Sequence, residues 1–366
     1  MLAIGVSGCG QGKHSAAGPA PADRPVPGEI GQNVARITGS SPGDAESAAI
    51  LAAYPPSGDR RPNGWIIVRR SSWHDAVVAA QFAAGPINAA ILPVSPDFTP
   101  TPAKDLMVRV KPDGFPLSHG IKAIILGKVG PDVLGDLSFL KLNPAQLQAK
   151  TPAELSAKLV PYRGGFAHAF SGQVLVVSEQ DRDYALPAGA WSAYSGDTVA
   201  FVKRNSVPRQ TAGLLSQRAK LKAEKPTIYL LGPPSVISAS VAAQLRAYGP
   251  VKRIAGRDAV STAVAFARYR DPTTGFGWGL RRGPANISLI NMHNWGYALG
   301  AFQFSATGPQ GPLLLTSRPE GLPAPVLQYL NELANPLGNQ GYVFGTRSSL
   351  SPGTLQQLDG VLAPRK

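Results

Sequence analysis

Two short stretches of this chain combine hydrogen-bond donors with an indole. One is Arg69-Arg70-Ser71-Ser72-Trp73-His74 and the other is Asn291-Met292-His293-Asn294-Trp295. Aromatic rings stack on sugar faces, amides and imidazoles bond hydroxyls, and guanidinium groups match phosphate or carboxylate oxygens. Arg69, Arg70, Trp73, His74, Asn291, His293, Asn294 and Trp295 are therefore the candidate ligand-binding residues, suited to a glycan or an anionic polymer. The competing reading is that Trp73 and Trp295 pack between structural units while the arginines are solvated.

Other chemistries find little support. The five histidines, His14, His74, His119, His168 and His293, form no His-x-x-x-His pair, and the only cysteine is Cys9. No metal site is expected. A Gly-x-Ser-x-Gly nucleophile turn is absent. His74 and Asp75 are adjacent, but adjacency does not aim one side chain at the other. A dinucleotide fingerprint needs Gly-x-Gly-x-x-Gly behind a strand. The first candidate strand is followed only by Gly39 and Gly43, and a later one by Gly256 alone. Neither a cofactor nor catalysis is expected.

The elements that must position these residues recur. The apolar runs Trp65-Ile66-Ile67-Val68, Val174-Leu175-Val176-Val177 and Ile287-Ser288-Leu289-Ile290 lie 109 and 113 residues apart. Each is followed after 25 or 26 residues by a second run, beginning at Ala90, Val199 and Leu313. Between the two lies an alanine-rich helical segment, around Ala76, Ala185 and Ala298. A third run ends in glycine each time, at Gly127, Gly232 and Gly345, with a helix after it. Each unit opens on a short run: Val34-Ala35-Arg36-Ile37-Thr38-Gly39, Phe139-Leu140-Lys141-Leu142-Asn143-Pro144, and Val251-Lys252-Arg253-Ile254-Ala255-Gly256. Strands and helices in strict alternation predict an α/β fold of three small parallel sheets covered on both faces. Lys141 is the expected counterpart of Arg36 and Arg253. Loops rich in Gly, Pro and Arg precede the second strand of each unit and carry Arg60, Arg61, Arg163, Arg281 and Arg282. Pro208 to Lys225, with Arg209 and Arg218, reads as a basic solvated helix face.

Arg253-Ile254-Ala255-Gly256-Arg257-Asp258 followed by Thr262-Ala263-Val264-Ala265, together with Tyr229-Leu230-Leu231-Gly232, resembles the bacterial cell wall-binding repeat 2 family. The likeness runs from about residue 31 to 366, strongest in the third unit and weakest in the second. It implies three Rossmann-like modules in a pseudo-threefold arrangement within one monomeric chain, attaching non-covalently to anionic wall polymer. Arg36, Gly39, Gly127, Gly232, Arg253, Gly256 and Gly345 are the residues that carry the repeat signature.

The start of the chain has a different character. Val6-Ser7-Gly8-Cys9 resembles the lipobox of bacterial lipoproteins, with Cys9 as the lipidated residue, although a charged segment and a full apolar segment are missing before it. A start codon placed too late would account for that. The expected organisation is a truncated lipoprotein signal at 1–9, a linker without periodicity at 10–30, and repeats at 31–138, 139–249 and 250–366. A formal net charge of +14 suits an anionic partner. Nucleic acid is not expected, because the cations are spread over all three units and no nucleic-acid-binding motif is visible. The expected place is the cell envelope, anchored by lipid or associated with the wall, with the membrane met only through that anchor. The alternative is a solute-binding lipoprotein for a small sugar or amino acid, which would need two lobes and a hinge.

Overall fold

The computed structural model describes residues 30–37, 41–56, 60–167, 172–222, 224–333 and 335–365. Cys9, the lipobox-like stretch, the linker up to residue 29 and Gly39 lie outside the described residues.

The chain opens with strand β1 (Val34–Ile37) and helix α1 (Pro42–Ala53). Strands β2 (Trp65–Arg69), β3 (Ala90–Val94), β4 (Ala123–Leu126) and β5 (Pro144–Leu147) then form a first sheet in the order β3-β2-β4-β5. Strands β6 (Gln173–Ser178), β7 (Thr198–Val202), β8 (Thr227–Leu231) and β9 (Val251–Ile254) form a second, ordered β7-β6-β8-β9. Strands β10 (Asn286–Asn291), β11 (Leu313–Thr316) and β12 (Gln340–Phe344) take β1 as their fourth, giving β1-β12-β10-β11. Every pairing between these strands is parallel. Parallel strands buried on both faces read as unbroken apolar runs, which is why Ile66-Ile67-Val68 and Val174-Leu175-Val176-Val177 are legible in sequence.

Sheets and sequence repeats are offset by one strand. The strand that opens the second repeat completes the sheet of the first, and the strand that opens the third completes the sheet of the second. The strand that opens the first repeat crosses to the end of the chain and pairs with β12, Val34 beside Gly341 and Ile37 beside Phe344. The three sheets thus close into a ring.

Helices in corresponding places hold the ring together. Helix α2 (Trp73–Ala79), with a 3-10 turn at Ala80–Phe82, α3 (Thr101–Arg109) and α4 (Pro131–Phe139) belong to the first sheet. Helices α5 (Pro152–Ala167), α6 (Arg182–Ser195), α7 (Arg209–Lys222) and α8 (Ala239–Leu245) follow. Helices α9 (Ala259–Arg268), α10 (Ala298–Thr307), α11 (Ala324–Glu332) and α12 (Pro352–Leu362) complete the chain. Helix α6 packs on both α2 and α10 at the centre. Ala76, Ala185, Ala298 and the residues beside them are fully buried there, so these helices are apolar all round rather than amphipathic. The close approach requires small residues. A Cβ on Gly189 of α6 would stand 2.3 Å from the Phe302 ring of α10. One apolar core runs through all three units, with a smaller cluster on the outer side of the first sheet and another outside the second.

Glutamine side chains face polar groups of the next unit across the joints. Gln303 Oε1 of α10 lies 3.4 Å from the Ile91 amide of β3, and Gln81 Oε1 lies 3.5 Å from the Thr198 hydroxyl of β7.

Three sequence expectations are corrected. Phe139 to Pro144 is not a strand: Phe139 ends α4, Lys141 and Asn143 turn the chain at φ +54° and +44°, and the strand starts at Pro144. Arg163 does not lie in a loop, because α5 continues through Pro161 to Ala167. Arg218 is not on a solvated face. It is 1% exposed, and burial pushes its guanidinium pKa down to about 10, with the charge of Asp197 opposing. No helix among the described residues is long and apolar enough to cross a membrane.

Candidate functional site

The repeat arginines occupy matching environments. Arg36, 1% exposed, donates from Nη1 to the carbonyls of Gly345 (3.1 Å) and Thr346 (3.2 Å), and from Nη2 to Ser351 (3.4 Å). Arg253 donates from Nη1 to Gly232 (2.7 Å) and from Nη2 to Ile237 (2.8 Å), with the Ser238 carbonyl 3.5 Å away. Gly345 and Gly232 end equivalent strands, and Ser351 and Ser238 are the N-caps of α12 and α8. Each arginine therefore ties the borrowed strand to the turn between a strand and its helix. In the first sheet the register sets Gln146 opposite Ile125, where Arg253 stands opposite Leu230 and Arg36 opposite Val343. Gln146 donates to the Gly127 carbonyl at 3.1 Å. Gln146, not the exposed Lys141, is the third member of the set. Gly127, Gly232 and Gly345 have φ of +89°, +125° and +139°, conformations that glycine enters without steric cost. Gly256 serves close approach instead, since a Cβ there would lie 2.4 Å from the Ser261 backbone.

The candidate ligand-binding residues gather at the carboxyl ends of β2 and β10, most of them tied into the protein. Arg69 forms a bidentate pair with buried Asp75, Nε to Oδ2 at 2.8 Å and Nη2 to Oδ1 at 3.1 Å. The Asp75 hydrogen bond raises its pKa. Trp73 stacks on His74 with ring centroids 3.7 Å apart, and both meet the edge of Phe201 on β7. His74 Nε2 lies 2.8 Å from the Glu179 carbonyl of the next unit. Burial pushes the imidazole pKa down, with the Glu179 contact opposing. A neutral ring donating from Nε2 fits both facts. Asn291 is buried, capping the His293 amide at 3.1 Å and donating to the Ser349 carbonyl at 3.0 Å. Trp295 is half-buried against the core. Arg70, His293 and Asn294 remain exposed. Arg70 holds its guanidinium 5.9 Å from the Phe98 ring centroid.

These loops meet one another. His74 reaches Glu179 in the second unit, and Arg182, one residue short of the equivalent place, donates to Met292 of the third at 3.1 Å. Trp73 and His74 thus serve the joint between units as well as the loop. Among the described residues, no group of three or more His, Cys, Asp or Glu is placed to hold a metal.

A cavity of about 220 Å³ lies at the opposite, amino-terminal ends of the strands, lined by Tyr54, Pro55, Pro56, Arg60, Arg61, Arg109, Val110 and Lys111. Sequence reasoning singled out Arg60 and Arg61 as part of an arginine-bearing loop. It had no means of joining them to Arg109 and Lys111, some fifty residues later.

Three small parallel sheets, each completed by a strand from another repeat around shared central helices, define a three-module α/β protein. Solved structures of this build exist. Cwp6 from Clostridium difficile superposes with a TM-score of 0.72 at 15% identity, over 90% of this chain and 48% of that one. Cwp8 from the same organism gives 0.70 at 18% identity, over 91% and 52%. The chain spans about half the length of these structures, and at such identities the likeness is one of fold. No family model and no curated protein sequence matches it.

Proposed function

We propose that this chain is a non-catalytic binding protein of the cell envelope that holds an anionic wall polymer through its three units. The observation that carries the reading is the three-unit ring, whose fold is shared with cell wall proteins of C. difficile. That likeness of fold supports a cell-wall-associated role. The charge of +14 supports an anionic polymer as the ligand. Several weak contacts spaced along one rigid body raise the effective concentration of each neighbouring contact, which suits a repetitive ligand. On this reading the chain is exported, Cys9 carries the lipid anchor, and the body acts as a monomer. The alternative of a small-solute receptor calls for two lobes hinged across a cleft, whereas here one core passes through three sheets.

Co-sedimentation of the full chain with isolated cell walls tests the proposal. Retention at low ionic strength, declining as salt screens the contacts, is expected. Absence of retention at low salt overturns it.

A further inference from the structure

The cavity at the amino-terminal ends of the strands stands apart from the loops considered above. Arg60 and Arg61 come from the segment between α1 and β2, Arg109 is the last residue of α3, and Lys111 follows it. Among the described residues no carboxylate lines the cavity. The side chains of Arg61, Arg109 and Lys111 make no hydrogen bond or ion pair with any described residue. Asp59 adjoins Arg60 in sequence, and Asp105 and Asp113, near Arg109 and Lys111 in sequence, do not line the cavity. A cation at the end of a helix offsets the dipole there, which accounts for Arg109 but not for Arg61 or Lys111.

The third unit treats the same place differently. Helices α3 and α11 are equivalent nine-residue helices, each entered from a proline. Where α3 ends in Arg109, α11 ends in Glu332, which pairs with Arg268. The third unit thus ends this helix on a carboxylate that pairs with a cation, whereas the first ends it on Arg109, a cation with no such partner among the described residues.

We propose that this cavity is a seat for a phosphate group borne on a polyol or sugar polymer, and that the first unit supplies that contact. The inference rests on the proposed function for its polymeric carrier. Two planar oxygens of a carboxylate satisfy one guanidinium fork, whereas tetrahedral phosphate presents oxygens in several directions and can meet several cations together. At about 220 Å³ the cavity is smaller than the roughly 300–1,000 Å³ typical of whole small-molecule sites, which suits one phosphate and the start of its polyol. Pro55, Pro56 and Val110 give that polyol an apolar wall. Single-stranded nucleic acid is bound through stacked bases, and the one ring here, Tyr54, is 1% exposed and turns its hydroxyl to the Asn88 carbonyl.

The test measures binding of labelled poly(glycerol phosphate) to the full chain at low salt. The triple variant Arg61→Gln, Arg109→Gln, Lys111→Gln is expected to bind about tenfold to a hundredfold more weakly. A charge-matched control, Arg246→Gln, Arg281→Gln, Arg282→Gln, is expected to stay within about threefold of the unaltered chain. Arg109→Glu alone, which gives α3 the charge found on α11, should also abolish tight binding and needs only one exposed change. Equal losses in both triple variants, or no binding by the unaltered chain, overturn the seat. So does equal competition by hyaluronate, a polycarboxylate, or tighter binding of single-stranded DNA through the same three residues. If walls retain the triple variant as well as the unaltered chain, the seat fails and the proposed function stands. If walls retain neither but the phosphate polymer discriminates between them, the seat stands and the proposed function fails.

Discussion

Replacing Arg253 probes how the ring is fastened. Its guanidinium makes two short bonds, to Gly232 at 2.7 Å and Ile237 at 2.8 Å, while the 3.5 Å approach to Ser238 is too long to count. Hydrogen bonds from a charged donor contribute about 1.5–3 kcal/mol each. Arg253 is half-buried, so water can reach the released carbonyls, and the lower end applies. Arg253→Ala should therefore cost about 3 kcal/mol. Arg253→Gln should cost about half of that, because Gln146 at the equivalent position keeps one bond, to Gly127. Arg36→Ala should exceed both, since Arg36 is 1% exposed and no solvent can replace it. Urea denaturation followed by tryptophan fluorescence and by far-ultraviolet dichroism reads these differences as shifts in midpoint at constant slope. Two results would refute the reasoning: Gln and Ala equally destabilising at 253, or both within about 0.5 kcal/mol of the parent chain.

Three further outcomes are expected. Gly189→Ala gains about 1 kcal/mol of helix propensity but places a methyl 2.3 Å from the Phe302 ring. Overpacking of about 1–3 kcal/mol should win, giving a lower melting temperature that Phe302→Leu partly restores; a stabilised Gly189→Ala would contradict this. Glu46 is fully buried, neither carboxylate oxygen has a hydrogen-bond partner among the described residues, and burial holds its pKa well above the usual range. The folded chain therefore binds the extra proton, and this group's contribution to stability falls as pH rises from the unfolded carboxyl value through the raised one. Thermal melts should show Glu46→Gln more stable than the parent at pH 8, with the gap closing towards pH 4. At Asp271, burial pushes the pKa up, but Lys252, Tyr229 and the Thr273 amide outweigh it and hold the carboxyl at about 2. Its contribution is complete above the unfolded value and lost as pH falls through about 2, so Asp271→Asn should cost about 1–3 kcal/mol near pH 7 in urea titrations and progressively less as pH approaches 2.

Much of the fold could be read because buried parallel strands leave long apolar runs and the same runs recur. The weak copy escaped for a physical reason. β5 sits at a sheet edge with Pro144, Ala145 and Gln146 partly or wholly solvated, so no apolar run marks it, while Leu140 and Leu142 in the turn before it imitate one. The offset between repeats and sheets was hidden too, since a period reports the spacing of strands and not which neighbour each one pairs with. At the carboxyl ends, residue type identified groups able to bind a glycan but not their partners. Asp75 turned out to serve Arg69, and the Trp73–His74 stack closes on a Phe from another unit. The cationic cavity eluded sequence reasoning because its residues belong to two distant segments, the loop before β2 and the end of α3, at the end of the sheet opposite to where open α/β folds usually bind ligands.

The path of β1 also has a mechanical meaning. A pull applied at residue 30 enters the folded body through a strand lying parallel to β12, against which Arg36 is bonded at Gly345, Thr346 and Ser351. Drawn along its own axis, such a strand must break its ladder of bonds together rather than one at a time. Tension on a tethered chain would then be carried across the closure of the ring into the sheet of β10, β11 and β12, so that a load entering at the first strand is borne by strands some three hundred residues later.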